Sequence, residues 1–228
     1  MSDYSLVVFD MAGTTVRDKG NVAEAFIQAF QKQGINIPTA EVNKVMGWRK
    51  KDAIRLLLDK YHPFSNGMDN ELIETIHDAF ISNMISFYEQ DEELQPLEKA
   101  EELFAKLKAN NIKVALNTGF TRAITDVILK KLRWNEGAII DFAIASDEVP
   151  EGRPHPYMIQ ELMQRSGITD AGKVVKVGDT EVDVQEGRNA NCGLVISVTT
   201  GAYTKEQLQQ YQPDHIIDHL SELPSLIL

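Results

Sequence analysis

Apolar positions along the chain follow two patterns. Short runs rich in Val and Ile recur as YSLVVF, IKVALN, AIIDFAIA, KVVKV, GLVISV and HIID, and all but the first two are separated by amphipathic or turn-like stretches. Such runs, with few polar interruptions, are what strands buried on both faces look like, so they predict a parallel sheet covered by helices. About a hundred residues separate the first run from the second, far more than a crossover helix needs.

Within that interval the pattern changes to a helical one. NVAEAFIQAFQKQG repeats apolar residues at three and four positions and is expected to stop at Gly34; KKDAIRLLLDKY and NELIETIHDAFISNMISFYEQ carry two further stripes, separated by Pro63 and Gly67. These stripes need one another to be buried, because the sheet's own helices are supplied elsewhere. The expected fold class is α/β: a doubly wound, Rossmann-like parallel sheet with an inserted α-helical cap. Residues 1–15 and 93–228 form the core and residues 16–92 the cap. LEKAEELFAKLKANN begins the return to the core.

Length and composition are those of an ordinary globular protein: 228 residues, 43% hydrophobic and 25% charged. Acids outnumber bases 34 to 23, a net charge of -11, which argues against a nucleic-acid partner, since neutralising phosphates takes clustered Lys and Arg. A small anionic substrate then needs local cations. Neither a leader-like segment nor a membrane-length apolar run is present, and a cytoplasmic protein without a membrane partner is expected. Cys192 stands alone, so there is no intrachain disulfide or thiolate-rich metal site, and it reads as a small buried residue beside a strand. Trp48, Phe64 and Met68 offer apolar cap surface that can bury in a homodimer, close over a site or pack within the cap.

Candidate chemistry lies where parallel sheets bind ligands, beyond the carboxyl ends of the strands. Four loops there carry polar groups out of keeping with their apolar approach: FDMAGTT, LNTGFTR, EVPEGRPHPYM and VGDTEVD. Asp10 can be a nucleophile or metal ligand, and with Asp179 it makes an oxygen-rich pair suited to Mg²⁺. Asp183, one turn along a helix, can ligate through water or orient its neighbours. Thr118 and Gly119 can cradle an anion with a hydroxyl and backbone N–H groups. Arg153, in a loop stiffened by Pro154 and Pro156, can supply the cation that Asp10 and a phosphoryl group both require. Taken singly, each of these residues reads as a cap, a turn or a surface side chain. Together they form a constellation.

Their order resembles that of the haloacid dehalogenase-like hydrolases over essentially the whole chain: FDMAGT, NTG, Arg153 and GDTEVD, with a helical cap inserted where one class of that family has it. The resemblance implies Mg²⁺-assisted phosphoryl transfer through an aspartyl-phosphate on Asp10, with specificity from the cap. Most phosphatases of the family carry an aspartate two residues after the nucleophile as general acid and base. Here that residue is Ala12, whose carbonyl can still bind Mg²⁺ while its methyl moves no proton. Phosphonatases, which cleave the carbon–phosphorus bond of phosphonoacetaldehyde, carry Ala at that position. DMAGTTV with its Gly13, NTGFTRA, VPEGRPHPYM and VKVGDTEVDVQEGRNA are similar to their motifs.

In those enzymes a cap lysine forms a Schiff base with the aldehyde, which then accepts the electrons of the departing carbon, and Lys50 of VMGWRKKDAIRLLL falls at its place. A helix start and the neighbouring Arg49 and Lys51 are expected to depress its pKa, as an imine-forming lysine needs. Three residues depart from the phosphonatase pattern. Ala53 stands where a histidine assists proton transfer, Phe120 stands for a tyrosine, and no cysteine lies near Gly20. His155 belongs to a core loop and does not fill the missing histidine's place. The sequence therefore supports a hydrolase of a small carbonyl-bearing phosphonate. The runner-up is a phosphate monoester phosphatase like the phosphoglycolate phosphatases, and a third reading is a non-catalytic phosphate-binding module.

Overall fold

The computed structural model describes residues 3–62 and 69–228; Pro63, Phe64, Gly67 and Met68 lie outside the described residues. Each of the six apolar runs contains a strand: β1 (Leu6–Asp10), β2 (Lys113–Thr118), β3 (Phe142–Ala145), β4 (Val174–Gly178), β5 (Leu194–Val198) and β6 (His215–Ile217). They form one parallel sheet in the order β3-β2-β1-β4-β5-β6. Val7 and Phe9 of β1 face one apolar cluster and Leu6 and Val8 the other, so the absence of polar alternation reflects burial on both faces.

Among the described residues, four helices form the insertion after β1: α1 (Asn21–Gln31), α2 (Thr39–Asn43), α3 (Lys50–Tyr61) and α4 (Asp69–Gln90). α1 and α3 both pack on α4, and Phe26 meets Phe80 edge-on with ring centroids 4.8 Å apart. α1 buries Val22, Ala23, Ala25, Phe26, Ala29 and Phe30, the stripe expected of it. It stops at Gln31, short of Gly34, which takes a positive φ of 72° in the turn beyond. The five-residue α2 follows Pro38 and has too little periodicity to be read from the chain. Where the chain leaves the sheet for these helices and where it returns, the two segments run side by side. Val16 pairs antiparallel with Pro96, and the Leu97 N–H donates to the Thr15 carbonyl at 2.7 Å.

On the Val7/Phe9 face lie α5 (Ala100–Ala109) and α6 (Arg122–Leu132); on the other lie α7 (Tyr157–Ser166) and α8 (Glu181–Asn189). α9 (Lys205–Gln209) precedes β6, and α10 (Pro224–Ile227) ends the fold. α4 also rests on α6, seating the inserted helices on the core. Cys192 is buried as expected, and burial pushes its thiol up to about 12. Trp48 is half-buried against the main core rather than presented to solvent. No helix among the described residues is long and apolar enough to cross a membrane.

Candidate active site

β1 has β2 on one side and β4 on the other, so the chain's path reverses about it, and side chains at its carboxyl end meet the loops after both neighbours. Asp10 ends β1 level with Asn117 of β2. Asp179 follows β4, and Arg153 comes from the loop before α7, where its peptide to Pro154 is cis. Arg153 Nη1 donates to Asp10 Oδ1 at 2.6 Å, while Nη2 donates to the Asn117 carbonyl at 2.8 Å and to Asn117 Oδ1 at 2.6 Å. The four loops read as a constellation therefore do converge.

Behind Asp10 the guanidinium belongs to a buried ionic network that the sequence did not reveal. Arg153 Nε lies 3.1 Å from Glu186, and Lys176 Nζ lies 3.2 Å from the same carboxylate while donating to Asn117 Oδ1 at 2.7 Å. Asn117 Nδ2 in turn donates to both Glu186 oxygens. Asp183 Oδ1 stands 3.1 Å from Arg153 Nη1 and 3.0 Å from Lys176 Nζ in two ion pairs. Its Oδ2 accepts from the Thr180 hydroxyl and N–H, closing the capping box of α8. Asp183 thus orients cations and a helix start. Burial opposes charge on Arg153, but Asp183, Asp10 and Glu186 outweigh it and hold the guanidinium firmly charged. Asp183 is likewise driven up by burial, yet Arg153 and Lys176 leave it below its ordinary value.

A cavity of about 30 Å³ opens in front of this network, lined by Asp10, Ala12, Lys50, Thr118, Gly119 and Asp179 together with Asp18, Phe120 and Thr180. Gly13, Arg153 and Asp183 do not line it. The Gly13 N–H is given to the Val16 carbonyl at 2.8 Å, so the turn uses it, and Thr118 Oγ1 accepts from the Phe120 N–H at 3.2 Å. Asp179 accepts from the Thr14 hydroxyl at 3.1 Å and from the Ala202 N–H at 2.7 Å.

Burial raises Asp10, and Asp183 beside it adds to this against the pull of Arg153 and Lys176. Asp179 is pushed well up by burial and by Asp10 and Asp183. Two hard carboxylates, Asp10 and Asp179, and the Ala12 backbone line one cavity, and that donor set fits a divalent cation such as Mg²⁺, whose charge would offset the burial and mutual repulsion that raise both carboxylates.

The inserted helices reach the site through residues 46–50. Gly47 takes a φ of +83°, and a Cβ there would meet the Thr180 hydroxyl at 2.5 Å; a Cβ on Gly119 would meet the Trp48 carbonyl at 2.5 Å. These two glycines let the loop before α3 press against the turns after β2 and β4. Lys50, first residue of α3, is thereby held at the cavity and is 3% exposed. Its Nζ donates to the Trp48 carbonyl at 3.3 Å and lies 5.4–5.9 Å from the ring centroids of Phe26, Phe80 and Phe120. Burial lowers its pKa to about 8, with Asp10 pulling the other way and Arg153 adding to the fall.

The depression was expected, but its source is different. Arg49 is turned to the Pro150 carbonyl and Lys51 to Glu74, so neither sets the charge of Lys50. Ala53 is wholly buried on the same helix. Asp18, a residue with no assigned part in the sequence reading, brings a carboxylate into the cavity, with Oδ1 accepting the N–H groups of Gly20 and Asn21 at the head of α1.

A strand-end aspartate backed by an arginine, a second aspartate after β4 and a cavity covered by helices inserted after β1 are the arrangement of a hydrolase with an α/β core and an inserted helical segment. The pattern of the haloacid dehalogenase-like hydrolases matches residues 4–191, and the chain belongs to that family. It is 31% identical to the phosphonoacetaldehyde hydrolase of Bacillus thuringiensis subsp. konkukian over 221 residues, covering 91% of this chain and 81% of that one. The Bacillus cereus enzyme of the same name is 32% identical over 217 residues, with coverage of 89% and 80%. Among solved structures, a phosphonoacetaldehyde hydrolase-like protein from Oleispira antarctica shares the fold with a TM-score of 0.83 at 23% identity, over 98% of this chain and 91% of the other. A hydrolase from Pseudomonas syringae does so at 0.85 and 18%, over 97% of each.

Proposed function

We propose that the chain is a Mg²⁺-dependent phosphonatase-like hydrolase that cleaves the carbon–phosphorus bond of a small carbonyl-bearing phosphonate. The observation that carries this reading is the presence of the Lys50 amine and the Asp10 carboxylate in one cavity whose residue 12 is Ala. With a pKa of about 8, Lys50 is in part neutral near neutrality and can attack an aldehyde carbon. The resulting protonated imine draws the electron pair of the breaking carbon–phosphorus bond into an enamine while Asp10 attacks phosphorus. Water then releases phosphate from Asp10, and hydrolysis of the protonated enamine frees the lysine. No acid is needed at residue 12, because the leaving group is a stabilised carbon.

Asp10, Asp179 and the Ala12 carbonyl would hold Mg²⁺, which when bound supplies charge neutralisation for the attacking carboxylate and the phosphoryl oxygens. In this reading Thr118 and Gly119 receive those oxygens and Arg153 fixes the attacking carboxylate. Residues 16–92 are the cap that carries Lys50, and the small cavity requires that cap to move for substrate to enter.

The test is a Mg²⁺-dependent screen of phosphonates against phosphate monoesters, with Lys50→Ala as control and borohydride added to trap the imine. Phosphonate turnover that is lost with Lys50, and a reduced adduct on that residue, are the expected results. A second reading draws on Asp18: its carboxylate in the cavity can serve as acid and base for a phosphate monoester. Monoesterase activity abolished by Asp18→Asn and untouched by Lys50→Ala would favour it.

A further inference from the structure

Lys50 lines a second cavity, of about 280 Å³, between the inserted helices and the core, and it is the one residue that also lines the cavity holding Asp10. The lining of this second space mixes polar and charged side chains with Ile81 and Ala123. His77 of α4 enters from the inserted side and is 7% exposed, and no described residue forms a hydrogen bond or ion pair with its ring. Thr121, at the head of α6, enters from the core side, 6% exposed, and its hydroxyl is a buried polar atom with no partner. Burying such groups without partners is costly, and the space can admit several waters to satisfy them.

Charged neighbours surround the imidazole. Glu74 and Asp78 flank it on α4, with a donor atom of each within 4.8 Å of the others in the triplet with His77, and Lys51 comes from α3. Arg49 and the core residue Asp147 complete the wall. Burial lowers the pKa of His77 and Lys51 adds to this, against Glu74, Asp78 and Asp147, so the neutral imidazole, with a free nitrogen lone pair, is favoured.

We infer that this second cavity is the proton port of Lys50, with His77 taking the proton that the ammonium releases and returning it when the imine forms, bridged by the Thr121 hydroxyl and solvent. The inference rests on the imine reading of Lys50. The balance is closed: ammonium and aldehyde give iminium and water. The first proton leaves the ammonium for His77, and the neutral amine then adds to the aldehyde carbon. A second proton passes from nitrogen to oxygen to give the carbinolamine hydroxyl, and the proton held by His77 returns to that hydroxyl, which departs as water and leaves one proton on the iminium nitrogen. His77 acts through Lys50 and is a positioning and relay residue, meeting from α4 the need that Ala53 on α3 leaves unmet.

The experiment measures the rate of borohydride-trapped adduct on Lys50 with phosphonoacetaldehyde as probe, across a pH series, in the wild type, His77→Ala and His77→Gln. Both variants are expected to form the adduct about a hundredfold more slowly or worse. Added imidazole should restore part of the rate in His77→Ala, whose cavity can admit it, and leave the wild type unchanged. If His77→Ala does not fold, His77→Gln carries the rate test alone. Adduct formation at the wild-type rate in a folded variant overturns the inference while the imine reading stands. An absence of adduct in the wild type overturns both.

Discussion

At the scale of single residues, Lys50 links stability to chemistry. Its pKa of about 8 in the folded chain lies below the ordinary 10.5, mainly because of burial. Between those values the unfolded chain binds the proton more tightly, so stability rises with pH across that window, and the burden on the folded state is full below it. Lys50→Met is therefore expected to raise the melting temperature near neutral pH by several degrees, on the order of 2 kcal/mol. The gain should shrink as pH approaches about 10, and melting curves across the pH series check this. A pH-independent gain would point to packing instead. At residue 12 the expectation concerns bond type: Ala12→Asp adds a carboxylate beside Asp10 and Asp179, and should lower phosphonate turnover at least tenfold while any monoesterase activity rises. Assays on both substrate classes decide it.

At the scale of elements, docking of the loop before α3 on the turn after β2 can be tested through Gly119. Its Cβ would collide with the Trp48 and Gly47 carbonyls, so Gly119→Ala should hold the inserted helices off the core. The expected signature is a fall of tenfold or more in kcat/KM with Mg²⁺ binding retained. Behind the site, Lys176→Met would leave Glu186 and Asp183 facing Arg153 alone and should cost about 3–5 kcal/mol in urea unfolding, the range for breaking a buried ionic group.

What the sequence disclosed and what it hid differ for a physical reason. Strands, long amphipathic helices, Asp10, Lys50 and the aspartates after β4 announce themselves through local pattern or motif. Lys176 reads as one polar position in KVVKV and Glu186 as one acid on a helix, and their meaning appears only once α8 lies against β4 and both side chains reach Asn117. Asp18 likewise carries no sequence signal, and only folding brings it to the cavity. The fall in the Lys50 pKa could be anticipated from its neighbours in sequence, but burial, a property of the assembled fold, produces it.

For the molecule as a whole, the proposed Mg²⁺ site would make stability depend on the cation, because burial and mutual repulsion raise Asp10 and Asp179 at the carboxyl end of the sheet. Mg²⁺ at a hundredfold excess over its dissociation constant is expected to stabilise the fold by about 2.7 kcal/mol. The melting temperature should climb with the logarithm of Mg²⁺ concentration and fall back on chelation. Asp179→Asn should abolish most of that response, and calorimetry with and without Mg²⁺ reads both effects.

The pairing of Val16 with Pro96 carries a different consequence. Because the outgoing and returning segments already touch, the helices between them hang from the sheet at one place, like a cartridge held by a two-pin socket. The sheet, Asp10 and the ionic network behind it lie outside that cartridge, whereas Lys50 and His77 lie inside it. On the proposed reading, the half that would break the bond and the half that would grip the substrate can then be altered separately, provided that the socket and the glycines where the two halves press together are kept.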